Sequence, residues 1–347
     1  MSSCPLPKSQ YDAIVLGHGS GGRLAAELLE SVFLRHFRGD VLARLEDQAV
    51  FVAAREANAR LALTTDSFVV RPPFFPGGDI GRLSICGTVN DLAVGGALPR
   101  VIAAAFILEE GLPLVDLERV VASMAEACKQ AGVELVAGDT KVVERGKGDR
   151  IFITTTGVGV VPEGRALSVS RARPGDRVLV SGPIGDHGIA ILSVREGIEF
   201  ETELVSDCAP LGGLAGALLE VCPDVRCMRD PTRGGLASAL NEIAARSRVG
   251  VRLDASAIPL RPAVRAACEL FGLDPLHVAC EGRLVAVVPD EHAERALSVL
   301  REHPLGTGAA VIGSIVAEHP QVVTLRSEIG SERLVPLLAG EQLPRIC

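Results

Sequence analysis

Arg171-Ala172-Arg173-Pro174-Gly175-Asp176-Arg177-Val178-Leu179-Val180-Ser181-Gly182 decides how the chain is divided. Pro-Gly-Asp is turn chemistry, because proline presets one backbone angle, glycine frees the next corner and aspartate bonds its own backbone. The apolar run behind it, Val178 to Val180, reads as a fresh strand. A turn of this kind between two stretches that each carry strands and helices marks a domain boundary. Upstream, the spacing predicts a strand at 11–16 and a helix at 23–37 on Leu24, Leu28, Leu29, Val32 and Phe33. Strands follow at 49–54, 61–70 and 101–108, then a helix over 113–131 ended by Gly132, then strands at 133–137 and 151–160. Downstream come a strand at 177–181, helices near 187–196, 211–221 and 234–247, strands near 250–254 and 284–288, and a helix at 290–302. The reading is two α+β domains: an extension with a glycine-rich loop over 1–40, a first domain over 41–165, a second over 171–330, and a tail over 331–347.

Length and composition agree. A chain of 347 residues has room for about two domains. Apolar residues make up 48% and charged residues 22%, enough for a core. Aromatic residues are 3%, with no Trp and one Tyr, so Ala, Val, Leu and Ile must build it. Few aromatics leave no stacking platform for single-stranded nucleic acid. A net charge of -8 offers no field for DNA or anionic lipid. No apolar run is long enough to span a bilayer, and Met1 to Lys8 has no apolar signal core. The expectation is a cytoplasmic protein without nucleic-acid or membrane partners. Nine cysteines in irregular spacing, with no C-x-x-C, suit a reducing compartment and buried thiols. Cys347 is different, because a chain end is rarely buried.

Gly17-His18-Gly19-Ser20-Gly21-Gly22 matches G-x-G-x-x-G between a strand and a helix. A dinucleotide site needs a second strand ending in Asp or Glu about 20 residues later, and the residues before Asp40, Val32 to Gly39, read as a helix end. Gly17, Gly19, Ser20, Gly21 and Gly22 are therefore candidates to cradle a phosphate, with a flexible glycine turn as the plain alternative. Five aspartates, Asp66, Asp79, Asp91, Asp139 and Asp230, follow apolar runs or lie beside glycines, which predicts carboxylates at strand ends and in loops. One such residue is usually a turn or a helix cap; five point to Mg²⁺ with substrate phosphates. Asn90 and Thr140, beside Asp91 and Asp139, can fill out the nucleotide contacts. Lys141 in GDTK can counter a γ-phosphate, or close a surface turn. Arg233 in DPTRGG can grip phosphate bidentately. His18 and His187 are candidate acid–base groups, His187 reading better as a hydrogen-bonded structural histidine.

Read together, Thr64–Val70 (TTDSFVV), Phe74–Pro99 (FFPGGDIGRLSICGTVNDLAVGGALP), Val136–Val143 (VAGDTKVV), Asp230–Ala237 (DPTRGGLA) and the terminal Pro344–Cys347 (PRIC) resemble the HypE family of hydrogenase maturation proteins. That family lies in the superfamily of aminoimidazole ribonucleotide synthetase and selenophosphate synthetase. The resemblance spans about residue 14 to 347. It implies a two-domain α+β fold with N-terminal sheets forming a dimer barrel, a C-terminal α/β sandwich and a flexible tail. It implies ATP and Mg²⁺ as cofactors. The carbamoyltransferase HypF would place a carbamoyl group on Cys347, the chain would dehydrate it to a thiocyanate, and a HypC–HypD complex would accept the cyanide for [NiFe] hydrogenase iron.

The chemistry fits independently. Dehydrating an amide in water needs its oxygen made into a leaving group, and phosphorylation by ATP does that. Asp66, Asp91 and Asp230 would hold Mg²⁺, with Asp139 beside them, and Lys141 would stabilise the transferring phosphoryl group. The Gly17–Gly22 loop would close over the nucleotide. Glu281, in Cys280-Glu281-Gly282-Arg283, and His18 are the candidate bases. Pro344 keeps the tail extended, and the dozen residues beyond Val335 can span roughly 40 Å. A small-molecule kinase or selenophosphate synthetase of the same superfamily needs no terminal cysteine. A non-catalytic nucleotide-binding scaffold would bind ATP without turnover.

Overall fold

The computed structural model describes residues 12–15, 27–37, 39, 60–197, 204–337, 343 and 346. The strand expected at 49–54, the glycine loop with His18, and Cys347 lie outside the described residues. A π-helical turn (Leu29–Phe33) runs into α1 (Leu34–His36). Then come β1 (Arg60–Phe68), the short pair β2 (Phe74–Phe75) and β3 (Gly78–Asp79), α2 (Ile80–Val94), β4 (Leu98–Glu109), α3 (Leu114–Ala131), β5 (Glu134–Val143) and β6 (Ile151–Val161). The four long strands form one sheet in the order β1-β6-β4-β5, with only β4 and β5 parallel.

α3 folds as its pattern dictates. Leu117, Val120, Val121, Met124, Ala127 and Cys128 are buried on one face, and Gly132, with φ +68°, ends the helix by donating its N–H to Cys128 and Lys129 carbonyls. α2 was not expected. Its residues are buried on nearly every side, so no polar stripe advertises a helix. Asp79 starts it, accepting from the N–H groups of Gly81 and Arg82 at 2.8 and 3.0 Å. A Cβ on Gly81 would stand 2.3 Å from the Val120 carbonyl, so glycine lets α2 lie against α3.

Strand periodicity then sorts the sheet. Thr64, Asp66 and Phe68 of β1 face α2, while Leu61 and Leu63 face the other way, 57% and 72% exposed. Ile107 and Leu98 are exposed on that same outer face, which no element among the described residues covers.

The second half holds β7 (Arg177–Val180), α4 (Asp186–Glu196), α5 (Gly212–Val221), β8 (Cys227–Arg229), α6 (Gly235–Ser247), β9 (Gly250–Asp254), α7 (Pro262–Phe271), β10 (Val285–Val288), α8 (Asp290–Glu302), β11 (Ala310–Val316), β12 (Val323–Arg326) and β13 (Glu332–Leu334). Its sheet runs β13-β12-β9-β11-β7-β10-β8. Along β10, Val285 and Val287 pack with Leu236, Leu240 and Ile243 of α6, whereas Ala286 and Val288 pack with Leu214 and Leu218 of α5 and Leu300 of α8. Helices therefore cover both faces, as the expected α/β sandwich requires. No helix among the described residues is long and apolar enough to cross a membrane.

The two halves share one apolar cluster. It joins Ile80, Leu83 and Val89 of α2 to Ile189 and Ile191 of α4, Cys208, Val278, and the tail residues Leu343 and Ile346. Asn90 stitches the same junction. Its Nδ2 donates to the carbonyls of Ala209 and Glu281, both at 3.1 Å, and its Oδ1 accepts from Leu211 N–H at 2.7 Å.

Candidate active site at the domain junction

Three elements deliver three carboxylates to this junction. β1 brings Asp66, α2 brings Asp91, and the turn after β8 brings Asp230. Thr88 and Asp91 are three residues apart on α2 and so face β1 together. The Thr64 hydroxyl donates to Asp91 Oδ2 at 2.8 Å, and Thr88 Oγ1 donates to Asp66 Oδ2 at 3.4 Å. Thr155 of β6 backs this row, 2.5 Å from Thr88 Oγ1 and donating to the Ser84 carbonyl at 3.1 Å. On the opposite side, Pro231 ends β8 and two glycines, φ +76° at Gly234 and +59° at Gly235, turn the chain into α6. A Cβ on Gly235 would lie 2.6 Å from the Leu276 carbonyl, so only glycine fits there. The start of α6 thus follows Asp230 closely, a helix N-terminus of the kind that suits phosphate, with its Gly235 N–H held by the Thr232 carbonyl at 2.9 Å.

The electrostatics are those of crowded acids. Burial, then the charge of Asp91, pushes the Asp66 carboxyl up from 3.8 to about 6, against the pull of Arg233. Burial and Asp91 likewise push Asp230 up to about 7. Glu281 is buried at the rear of the group. Burial first, then the charges of Asp230 and Asp207, hold its carboxyl well above the usual range. Its Oε1 has no partner among the described residues. No three acidic, histidine or cysteine side chains among the described residues stand close enough to hold a metal by themselves. Mg²⁺ does not need that: one or two carboxylates with phosphate oxygens and waters suffice, and the raised acids show where positive charge is missing. The residues present fit it.

Several expectations change. Of the five aspartates, only Asp230 lies in a loop. Asp79 is a helix cap, as the plain reading had it. Asp91 is inside α2, and Asp139 is inside β5, which continues through the presumed GDTK turn. Asp139, Thr140 and Lys141 sit on the sheet edge opposite β1, three strand spacings or about 14 Å away. Asp139 and Lys141 pair with each other at 3.3 Å, exposed, on the face away from α2. Within one chain they do not meet Asp66. Asn90, expected among the nucleotide contacts, is buried, and both its amide hydrogens are held in the domain junction. Arg233, Asp66, Asp91, Asp230 and Glu281 do come together.

The tail holds the largest surprise. It was expected to be flexible, yet Leu343 and Ile346 are both buried in the shared cluster. His187 Nε2 stands 2.7 Å from the Ile346 carbonyl oxygen, and its Nδ1 2.8 Å from Ser206 Oγ. Sequence reading named neither Ser206 nor Asp207, whose Oδ1 accepts the Glu281 N–H at 3.0 Å. They lie in a motif-free stretch, and only the fold shows their neighbours.

Residues 45–161 match the family model described as AIR synthase related protein, N-terminal domain, and residues 173–326 match its C-terminal domain. The chain is 55% identical over 335 residues to the carbamoyl dehydratase HypE of Azotobacter vinelandii, covering 96% of this chain and 97% of that one. Among solved structures, a hydrogenase maturation protein HypE in complex with ATP is 49% identical, with a TM-score of 0.91 over 96% of this chain and 99% of that one. A chain of a HypE–HypF complex is 47% identical, with a TM-score of 0.78 over 90% of this chain and 99% of that one.

Proposed function

The chain belongs to the HypE family of carbamoyl dehydratases, built from AIR synthase related domains, and on that premise we propose that its substrate is its own last residue, Cys347. A carbamoyl group on the Cys347 sulfur gives S–C(=O)–NH₂. ATP phosphorylates the oxygen, releasing ADP and one N–H proton, to give S–C(OPO₃)=NH. Loss of the second N–H proton with departure of phosphate leaves S–C≡N. The sum is thiocarboxamide plus ATP to thiocyanate, ADP, phosphate and a proton.

Asp66 and Asp91, with Asp230 from the second domain, would hold Mg²⁺ under the phosphates, where it supplies charge neutralisation. Arg233 and the positive N-terminal end of α6 receive phosphate oxygens. Glu281 needs a refined role. Burial favours its acid form, so at rest it is poised to donate a proton to a leaving oxygen. It takes the amide proton only once the negative charge around it is neutralised.

Asp139 and Lys141 act from a second copy. The uncovered apolar face of the first sheet, with Leu61, Leu63 and Ile107, packs against its equivalent in a homodimer. A two-fold axis parallel to the strands sets the β5 edge of one protomer beside the β1 edge of the other, closing the barrel and bringing Lys141 of one toward Asp66 of its partner. Loading by HypF and delivery to HypC–HypD in the cytoplasm complete the cycle.

The observation that carries this reading is the inward tail: Ile346 is buried in the cluster that joins the two domains, one residue before the thiol. The test is the intact mass of the C-terminal peptide after incubation with the carbamoyltransferase, carbamoyl phosphate and MgATP. Gain of one carbamoyl group on Cys347, then ATP-dependent loss of one water, is the expected result. An unmodified Cys347 with an active partner present would return the chain to a small-molecule kinase.

A further inference from the structure

His187 is buried completely in the first turn of α4, and its two ring nitrogens face two different parts of the chain. A carbonyl oxygen only accepts, so the 2.7 Å contact with Ile346 puts the proton on Nε2. Nδ1 must then accept, and the Ser206 hydroxyl at 2.8 Å donates to it. Ser206 is free to do so because its oxygen in turn accepts the Cys208 N–H at 3.1 Å. Every bond in this row runs in one direction. Phe75 meets the ring edge-on, 5.4 Å between centroids, and fixes its plane. The next residue, Gly188, leaves room for the other buried tail contact: a Cβ there would stand 3.4 Å from Leu343 Cδ1 and 2.6 Å from Val278 Cγ1. The Ser206 loop is not idle scaffold. Ser206 N–H binds the Pro76 carbonyl of the first domain at 2.8 Å, and Asp207 holds the Glu281 backbone.

We propose that His187 is a positioning residue that sets the depth of the tail: its Nε2–H fixes the Ile346 carbonyl, the last link of the chain before the residue that carries the thiol. Breaking this bond accompanies the tail's departure to be loaded. The inference rests on Cys347 being the substrate arm, but the latch itself is measured without any turnover.

Hydrogen exchange on the full-length chain reads the latch directly. In His187→Ala, the amides of residues 343–347 exchange about tenfold faster, the loss of one buried bond. The carbamoylated variant dehydrates about tenfold more slowly, yet HypF loads it no more slowly than the parent. His187→Gln, whose amide can reach the same carbonyl, recovers most of both. A merely structural histidine would slow loading and dehydration together and gain nothing from glutamine. Unchanged tail exchange in folded His187→Ala overturns the proposal. So does a nitrogen-15 spectrum of the parent chain showing the Nδ1–H tautomer, a measurement that needs no variant. If the parent chain fails to dehydrate while tail exchange still depends on His187, the function reading falls and the latch stands.

Discussion

Two acidic clusters flank Glu281, and they are neutralised in different ways. On one side, Asp186 and Asp207 are buried, and the fold supplies their counter-charge. Arg283 lies 3.6 Å from Asp186 and 3.5 Å from Asp207, and Arg261 bonds Asp186 at 2.9 Å. On the other side, Asp66, Asp91 and Asp230 crowd together with the hydroxyl donors Thr64 and Thr88, beside Arg233 of the loop that follows Asp230. The charge of Arg233 lowers Asp66 less than burial and Asp91 raise it. Carboxyls are raised in both clusters, so perturbation alone does not mark the active site. What separates them is where the missing positive charge comes from. A cluster whose carboxylates are paired by buried guanidinium groups is structure; one whose acids stay raised beside a loop arginine suits a cation brought with the substrate.

The largest effect that could break this contrast is on the chemistry. Asp66→Asn is expected to lower ATP-dependent dehydration of the carbamoylated tail by about 10²- to 10³-fold, the loss of one charge-stabilising group. Its Tm stays level or rises, because a crowded charge is gone. Lys141→Ala is also expected to be impaired. Mixing the two inactive homodimers should restore roughly a quarter of the rate, since half the re-formed dimers carry one intact shared site. No recovery would place both residues in one chain's site.

The middle effect is on stability. Arg283→Met leaves buried Asp207 without its guanidinium and Asp186 with Arg261 alone, and is expected to cost about 3–5 kcal/mol in chemical denaturation. A loss under about 1 kcal/mol would mean that the Asp186–Asp207 cluster is no better neutralised than the Asp66–Asp91–Asp230 cluster. The smallest effect is on pH dependence. Burial, then the charge of Asp207, raises Asp186 from 3.8 to about 6. A raised acid stabilises the fold fully below the unfolded value and loses that contribution as pH climbs through the folded one. Stability attributable to Asp186 therefore falls between about pH 4 and pH 6, and Asp186→Asn should flatten that part of the unfolding curve. An unchanged slope would show that Arg261 and Arg283 already cancel the burial.

α3 and α2 show why some of this was legible. α3 has one wet face, so its apolar residues recur at helical spacing and the expected span of 113–131 meets Leu114–Ala131. α2 is enclosed by both domains, and a helix buried all round has no period to read. Asp91 and Asn90 were accordingly placed in a loop. Asn90 looked like a ligand for the same reason, as a polar residue in a glycine-rich stretch, when its partners are backbone groups more than a hundred residues away. β5 ran on through Gly138 to Lys141 because pairing with β4, a tertiary fact, outweighs local turn chemistry. The gathering of Asp66, Asp230 and Glu281 was readable because each sits in a distinctive motif. The Ser206–His187–Ile346 row was not, since its members are linked only by folding.

The base of the tail carries a kinetic consequence. Asn241 Nδ2 donates to the Val335 carbonyl at 2.8 Å, so the arm is moored there, 11 residues before Ile346. Once the Ile346 contact is broken, a free chain of that length would reach roughly 18 Å, which confines its end at millimolar effective concentration. The loaded thiol therefore never has to find the site by diffusion, and diluting the protein leaves dehydration unchanged for as long as the homodimer stays together. A free thiocarboxamide would have to approach millimolar levels to compete. Each chain is also a reagent consumed once per loading, so over many rounds the flux is governed by how fast the arm is emptied.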